Sequence, residues 1–186
     1  MAAVPQVFAI SGSLRKASLN TALLRAAKEL APAGMAITLY EGLGAIPPYN
    51  QDVEQAGDPA PVLELKAAVR GADALLIATP EYNYAVPGVL KNAVDWLSRP
   101  AATTPLKGKA AGILGVSMGG GGTVRAQLVL RQCFLFTETY AMLKPEFALA
   151  GAGEKFDAAG RLVEEATRKR LADFLQALAV WSQRWK

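Results

Sequence analysis

The sequence predicts a doubly wound α/β fold: a five-stranded parallel sheet in the order 2-1-3-4-5 with helices on both faces. Three observations predict it. Short apolar runs alternate with segments of helical periodicity along the whole chain. The clearest runs are apolar throughout instead of alternating, as strands buried on both faces must be. Runs of this kind are followed by loops rich in Gly, Ser or Pro, where ligands of such sheets bind.

Val7 to Ile10 is the first strand, ending in a Gly/Ser turn. Ala22, Leu23, Ala26, Ala27 and Leu30 then fall at helical spacing, and Pro32 with Gly34 stop the helix. Met35 to Tyr40 is a second strand. Glu41 to Pro61 is rich in Gly and Pro and is the one long loop expected, a place where function often sits. Val62 to Arg70 is a helix closed by Gly71, and Ala74 to Thr79 the third strand. Val86, Leu90, Ala93, Val94 and Leu97 mark the next helix. Ala110 to Val116 is the fourth strand, Val124 to Phe136 a helix, and Tyr140 to Leu143 the last strand. The chain closes in an amphipathic helix with Leu171, Phe174, Leu175, Leu178, Trp181 and Trp185 on one face. The 186 residues suit one domain without repeats, linkers or low-complexity tracts.

Composition excludes several chemistries. There is no histidine, which removes a Ser-His-Asp triad, a Cys-His pair and histidine metal sites. The single cysteine, Cys133, cannot form an intrachain disulfide and fits a reducing compartment; among apolar neighbours it reads as core. No apolar run reaches the roughly 20 residues that cross a bilayer. Met1 to Gln6 lacks a basic n-region and apolar stretch, so no secretory signal is expected and the cytoplasm is the default. Net charge is +4, with the basic residues scattered; Arg168, Lys169 and Arg170 sit among Glu164, Glu165 and Asp173 as a solvated face. Nucleic acid is therefore not an expected partner, while a mild positive field favours anionic small molecules.

Three loops at strand C-termini carry the chemistry. The first, Ser11-Gly12-Ser13-Leu14-Arg15-Lys16-Ala17-Ser18-Leu19-Asn20, runs from strand 1 into a helix. Hydroxyls, backbone N–H groups and an arginine at a helix N-terminus suit a phosphate monoester. A plain helix cap by Ser18 or Asn20 is the alternative, but five polar side chains exceed what a cap needs. Walker A and G-x-G-x-x-G patterns are both absent after strand 1. The second loop is Thr79-Pro80-Glu81-Tyr82-Asn83-Tyr84-Ala85-Val86-Pro87-Gly88, rigid through its prolines and bordered by two aromatic rings. It could equally be an ordinary turn with Pro87 at a helix start. The third, Ser117-Met118-Gly119-Gly120-Gly121-Gly122-Thr123, permits close backbone approach to a ligand, or is a flexible loop without one.

Segments SGSLRKASLN, PEYNYAVPGVLKNAVDWLSRP and VSMGGGGTVRAQLVLRQ resemble the signature segments of the NADPH-dependent FMN reductase family, in its quinone and chromate reductase branch. The resemblance runs from Val7 to about Phe147. It implies a flavodoxin-like fold, bound FMN and an NADPH or NADH electron donor. By it, Ser11, Ser13, Arg15, Ser18 and Asn20, with Leu14 in the same loop, surround the phosphate. Pro80, Glu81, Tyr82, Asn83 and Tyr84 line the isoalloxazine mostly through backbone groups. Ser117, Met118, Gly119 and Gly120 meet the ring or ribityl side, although Gly119 to Gly122 is a longer glycine run than the family usually has. The implied chemistry is ping-pong hydride transfer from NAD(P)H to quinones, chromate, azo or nitro compounds or free flavin. The flavin carries it, so no side chain is expected to be catalytic and no metal is needed. A flavodoxin-type electron carrier and an FMN-binding sensor are the rivals; a pI near 9.3 disfavours the first, since carriers usually dock basic partners through acidic surfaces. The resemblance also implies a homodimer or homotetramer, to which Asp95, Trp96, Arg99, Arg125, Arg131 and Glu146 are candidate contributors.

Overall fold

A computed structural model describes residues 5–185; Met1 to Val4, on which much of the reading for a leader segment falls, and Lys186 lie outside the described residues. Strands β1 (Gln6–Ser11), β2 (Ala36–Tyr40), β3 (Ala74–Ala78), β4 (Ala110–Val116) and β5 (Tyr140–Ala141) form a sheet in the order β2-β1-β3-β4-β5, each pair parallel. The predicted topology is the observed one.

The helices are α1 (Leu19–Glu29), α2 (Gln51–Ala56), α3 (Ala60–Gly71), α4 (Gly88–Leu97), α5 (Val124–Thr137) and α6 (Glu165–Gln183). Because successive strand side chains point to opposite faces, each central strand feeds two cores. Ala74, Leu76 and Ala78 of β3 join Leu114 of β4 under α1 and α6. Leu75 and Ile77 join Ile113 beneath α3, α4 and α5. All five residues of β3 are buried, which accounts for its unbroken apolar run.

Several expectations need correction. The last strand is shorter than Tyr140 to Leu143, and the fifth sheet position is divided. A further strand, β6 (Phe147–Leu149), pairs with Leu114 to Val116 farther along β4. Pro145 lies between β5 and β6 and has no N–H to give a continuous ladder. Glu41 to Pro61 is only partly loop: it contains a 3-10 turn (Gly42–Ala45) and α2, and α3 begins before Pro61. Asn50 caps α2, its side chain accepting from Asp52 N–H.

Trp96 cannot face a second subunit. It is fully buried, and its indole donates to the Pro47 carbonyl at 2.8 Å, pinning the same stretch that Asn92 holds through Pro47 and Tyr49. On α6, Leu171, Phe174, Leu175 and Leu178 are buried as predicted, but Trp185 lies past the helix end, stacked on Tyr140 at 3.8 Å. Cys133 sits half-buried at the margin of the core, and burial pushes its thiol pKa up.

Candidate active site

β1, β3 and β4 end side by side, with Ser11 opposite Ala78 and Ala78 opposite Leu114. Gly12 N–H donates to Ala78 C=O and Thr79 N–H to Leu114 C=O, so all three predicted loops leave one sheet edge together. A Cβ on Gly12 would stand 3.0 Å from Leu90 and 3.2 Å from Pro80; glycine there lets the first two loops touch.

The first loop is shaped by its own hydroxyls. Ser11 Oγ accepts from Thr21 Oγ1 at 2.8 Å and from Ser13 N–H at 3.3 Å, and Ser13 Oγ accepts from Arg15 N–H. Ser18 is the N-cap of α1, accepting from Thr21 N–H. By helix geometry the N–H groups of Leu19 and Asn20 have no carbonyl partner within α1. The Arg15 side chain is exposed, its guanidinium donating to Ala17 C=O. Leu14 is also exposed, and a Cβ on Gly44 would touch it. Asn20 stands differently from its sequence expectation. Its buried amide donates to Val116 C=O at 3.1 Å and accepts from Val116 N–H at 3.0 Å, tying this loop to the end of β4.

In the second loop, Tyr82 and Ala85 exchange backbone hydrogen bonds around Asn83 and Tyr84. Both central residues have positive φ, 50° and 64°, as a type I′ turn demands. Asn tolerates that region well; for Tyr it is strained. The Glu81 carboxylate turns away to the start of α5: it accepts from Arg125 Nη1 at 2.8 Å, from Arg125 N–H at 3.0 Å and from Ala126 N–H at 3.3 Å. Burial pushes the Glu81 pKa up, but the hydrogen bonds from Arg125 and the two backbone donors outweigh it and hold the carboxyl below its ordinary value. The Arg125 guanidinium also lies over the Tyr84 ring at 4.1 Å.

The third loop is closed by Ser117, whose Oγ donates to Gly119 C=O and accepts from Gly122 N–H. Gly119 and Gly120 have open space around them, and Met118 is exposed. Behind it stands the segment after β6: Ser117 N–H donates to Leu149 C=O and Gly151 N–H to Gly119 C=O.

Ser13, Arg15, Ser18, Asn20, Pro80, Glu81, Tyr82, Ser117 and Met118 line one cavity of about 180 Å³. At Glu81 it adjoins an open depression of about 540 Å³ bordered by Asn83 and Tyr84. The three loops read as ligand-bearing therefore surround one cleft. Sequence reasoning missed two contributors: Arg125, read as an interface candidate, and the 149–152 segment, whose signal was limited to Phe147-Ala148-Leu149 ahead of Gly151. The donor set of hydroxyls, guanidinium and helix N-terminus suits a dianionic phosphate, and the rigid aromatic-edged loop beside it suits a flat ring.

The model of a family described as NADPH-dependent FMN reductase matches residues 5–154. An NAD(P)H-dependent FMN reductase of Pseudomonas aeruginosa is 48% identical over 179 residues, covering 96% of each chain. A quinone reductase of Escherichia coli (strain K12) is 42% identical over 183 residues, 97% of each. Among solved structures, the flavoenzyme NAD(P)H:(acceptor) oxidoreductase FerB from Paracoccus denitrificans superposes with a TM-score of 0.90 at 37% identity, covering 98% of this chain and 99% of that one.

Proposed function

From the premise that this chain belongs to the NADPH-dependent FMN reductase family, we propose that its three-loop cleft is the flavin site at which NAD(P)H reduces quinones. The chain is an FMN-dependent NAD(P)H oxidoreductase of quinones. The observation that carries the site assignment is the convergence of the β1, β3 and β4 loops on that cleft.

FMN, when bound, supplies the two-electron chemistry between NAD(P)H and acceptor, and the chain supplies binding and orientation. Ser13 and Ser18 hydroxyls, the N–H groups at the start of α1 and the Arg15 guanidinium hold the phosphate. Ser11 and Asn20 serve that cradle from beneath: Ser11 through Ser13 and Thr21, Asn20 through Val116. Pro80 to Tyr84 would offer backbone groups and a tyrosine edge to the isoalloxazine, and Ser117 to Gly120 would meet its ring or ribityl side. Leu14 bounds the loop nearest Gly44. No side chain is assigned a proton-transfer role, in keeping with a chain that has no histidine.

An open flavin face selects weakly, so the acceptor range extends to chromate, azo and nitro compounds and free flavin. A homodimer or homotetramer is proposed as the working state, tested by size-exclusion chromatography with light scattering. NAD(P)H as donor and a lone cysteine favour a cytoplasmic setting. The test of the whole reading is the absorption spectrum of purified protein followed by anaerobic NADPH and NADH titration. Bound flavin bleached by either donor is expected; a colourless protein that takes up no FMN on titration overturns it.

A further inference from the structure

Glu81 is the one acidic side chain that reaches from the tyrosine loop to α5, and its carboxylate is nearly buried, 13% exposed, with three donors upon it. Arg125, which supplies two of those donors, is half exposed and covers the face of Tyr84. Tyr84 itself is 70% exposed and sits at positive φ next to Asn83, also at positive φ. A turn with two residues in the left-handed region, one of them aromatic and turned to solvent, persists only when its surroundings over-determine it. What surrounds it here is the Tyr82–Ala85 bridge on one side and the Glu81–Arg125 pair on the other.

We propose that the Glu81 carboxylate is a positioning residue, locking the Pro80–Tyr84 loop onto the start of α5 with Arg125 as its partner, so that the platform for the flavin ring is preformed. This rests on the assignment of the cleft to FMN. The lock acts on the ring platform and leaves the phosphate cradle alone, because none of its hydrogen bonds reaches the β1–α1 loop. Glu81 cannot also serve as a proton donor at neutral pH: its carboxylate is held ionised by Arg125 and two backbone N–H groups.

The test measures dissociation constants of the refolded apoprotein for FMN and for riboflavin, which lacks the phosphate, by quenching of flavin fluorescence. Glu81→Ala should weaken both ligands by the same factor, about tenfold, as expected for loss of charge-assisted hydrogen bonds. Arg15→Ala should weaken FMN and leave riboflavin unchanged. Glu81→Gln, which keeps an acceptor for the α5 N–H groups, should recover part of the loss, and Arg125→Ala should show a smaller loss for both ligands. The double variant Glu81→Ala/Arg125→Ala should bind no more weakly than Glu81→Ala alone, since the two act as one unit. If Glu81→Ala does not fold, Glu81→Gln and Arg125→Ala carry the same comparison of the two ligands.

Wild-type affinity for both ligands in the Glu81 and Arg125 variants overturns the proposal, as does a loss confined to FMN. Either result leaves the FMN reading standing. A wild-type protein that binds neither flavin overturns that reading and this one together.

Discussion

Gly115, in the middle of the site's architecture, is a position where one methyl group decides whether two loops can meet. A Cβ there would fall 1.9 Å from Thr123 Oγ1 and 2.6 Å from the Thr79 carbonyl oxygen, and the latter is backbone that cannot swing aside. Gly115→Ala should destabilise the apoprotein by roughly 1–3 kcal/mol or more through overpacking. Urea denaturation measures this, and the same variant should lose flavin affinity because the Thr79 and Thr123 backbones enter two of the three loops. Gly119→Ala is the counter-case: nothing lies within 4 Å of its added Cβ, so its unfolding free energy should stay within about 0.5 kcal/mol of wild type. At Glu81 the prediction concerns pH. Its carboxyl is held below the ordinary value of 4.5, so its contribution is present above that value and is lost as pH falls through the lower, folded one. Melting temperature should therefore fall as acid is added below pH 4.5, and Glu81→Gln should flatten that part of the profile.

At the scale of elements, the junction of α2 and α3 hangs on a buried charge. Lys66 on α3 is 4% exposed along its side chain, ion-paired with Asp58 and near the face of Trp96. Removing one partner strands the other, so Asp58→Ala should cost about 3–5 kcal/mol in urea denaturation. The double replacement Asp58→Ala/Lys66→Met, which removes both charges and keeps the apolar stem against Trp96, should recover most of that loss. Elements whose stability is local or whose burial is two-sided were legible. The strands β1, β3 and β4 announce themselves as apolar runs because both their faces are covered. α2 was not legible: Gln51-Asp52-Val53-Glu54-Gln55-Ala56 has one large apolar residue and no periodicity. It owes its place to the Asn50 cap and a bond from Tyr49 Oη to Glu54 at 2.7 Å. β6 was missed because three residues carry no pattern of their own; only the free edge of β4 from Leu114 to Val116 defines it as a strand.

At the scale of the whole molecule, the same contrast separates what the sequence discloses of the site from what it hides. Ser11 to Asn20 is contiguous, so its hydroxyls and arginine could be recognised together. The partners of Glu81 and Asn20 lie 44 and 96 residues away, and no local spacing announces them. Asn20 and Glu81 were thus placed at the cleft, but the work of their side chains was not. The overall charge of +4 is a global property with a consequence at this site. A phosphate dianion approaching Arg15 at the start of α1 meets both the local cation and the field of the chain. Exposed charges separated by more than a Debye length, about 10 Å at 0.1 M salt, are largely screened from one another. FMN affinity should consequently fall as NaCl rises from tens of millimolar toward molar concentration, whereas riboflavin affinity should hold or increase slightly, its binding being apolar and hydrogen-bonded. Arg15→Ala should bring the salt slope of FMN close to that of riboflavin. Fluorescence titration across a salt series reads all three slopes. An FMN slope equal to that of riboflavin in the wild type would mean that backbone N–H groups and hydroxyls hold the phosphate with no help from the guanidinium.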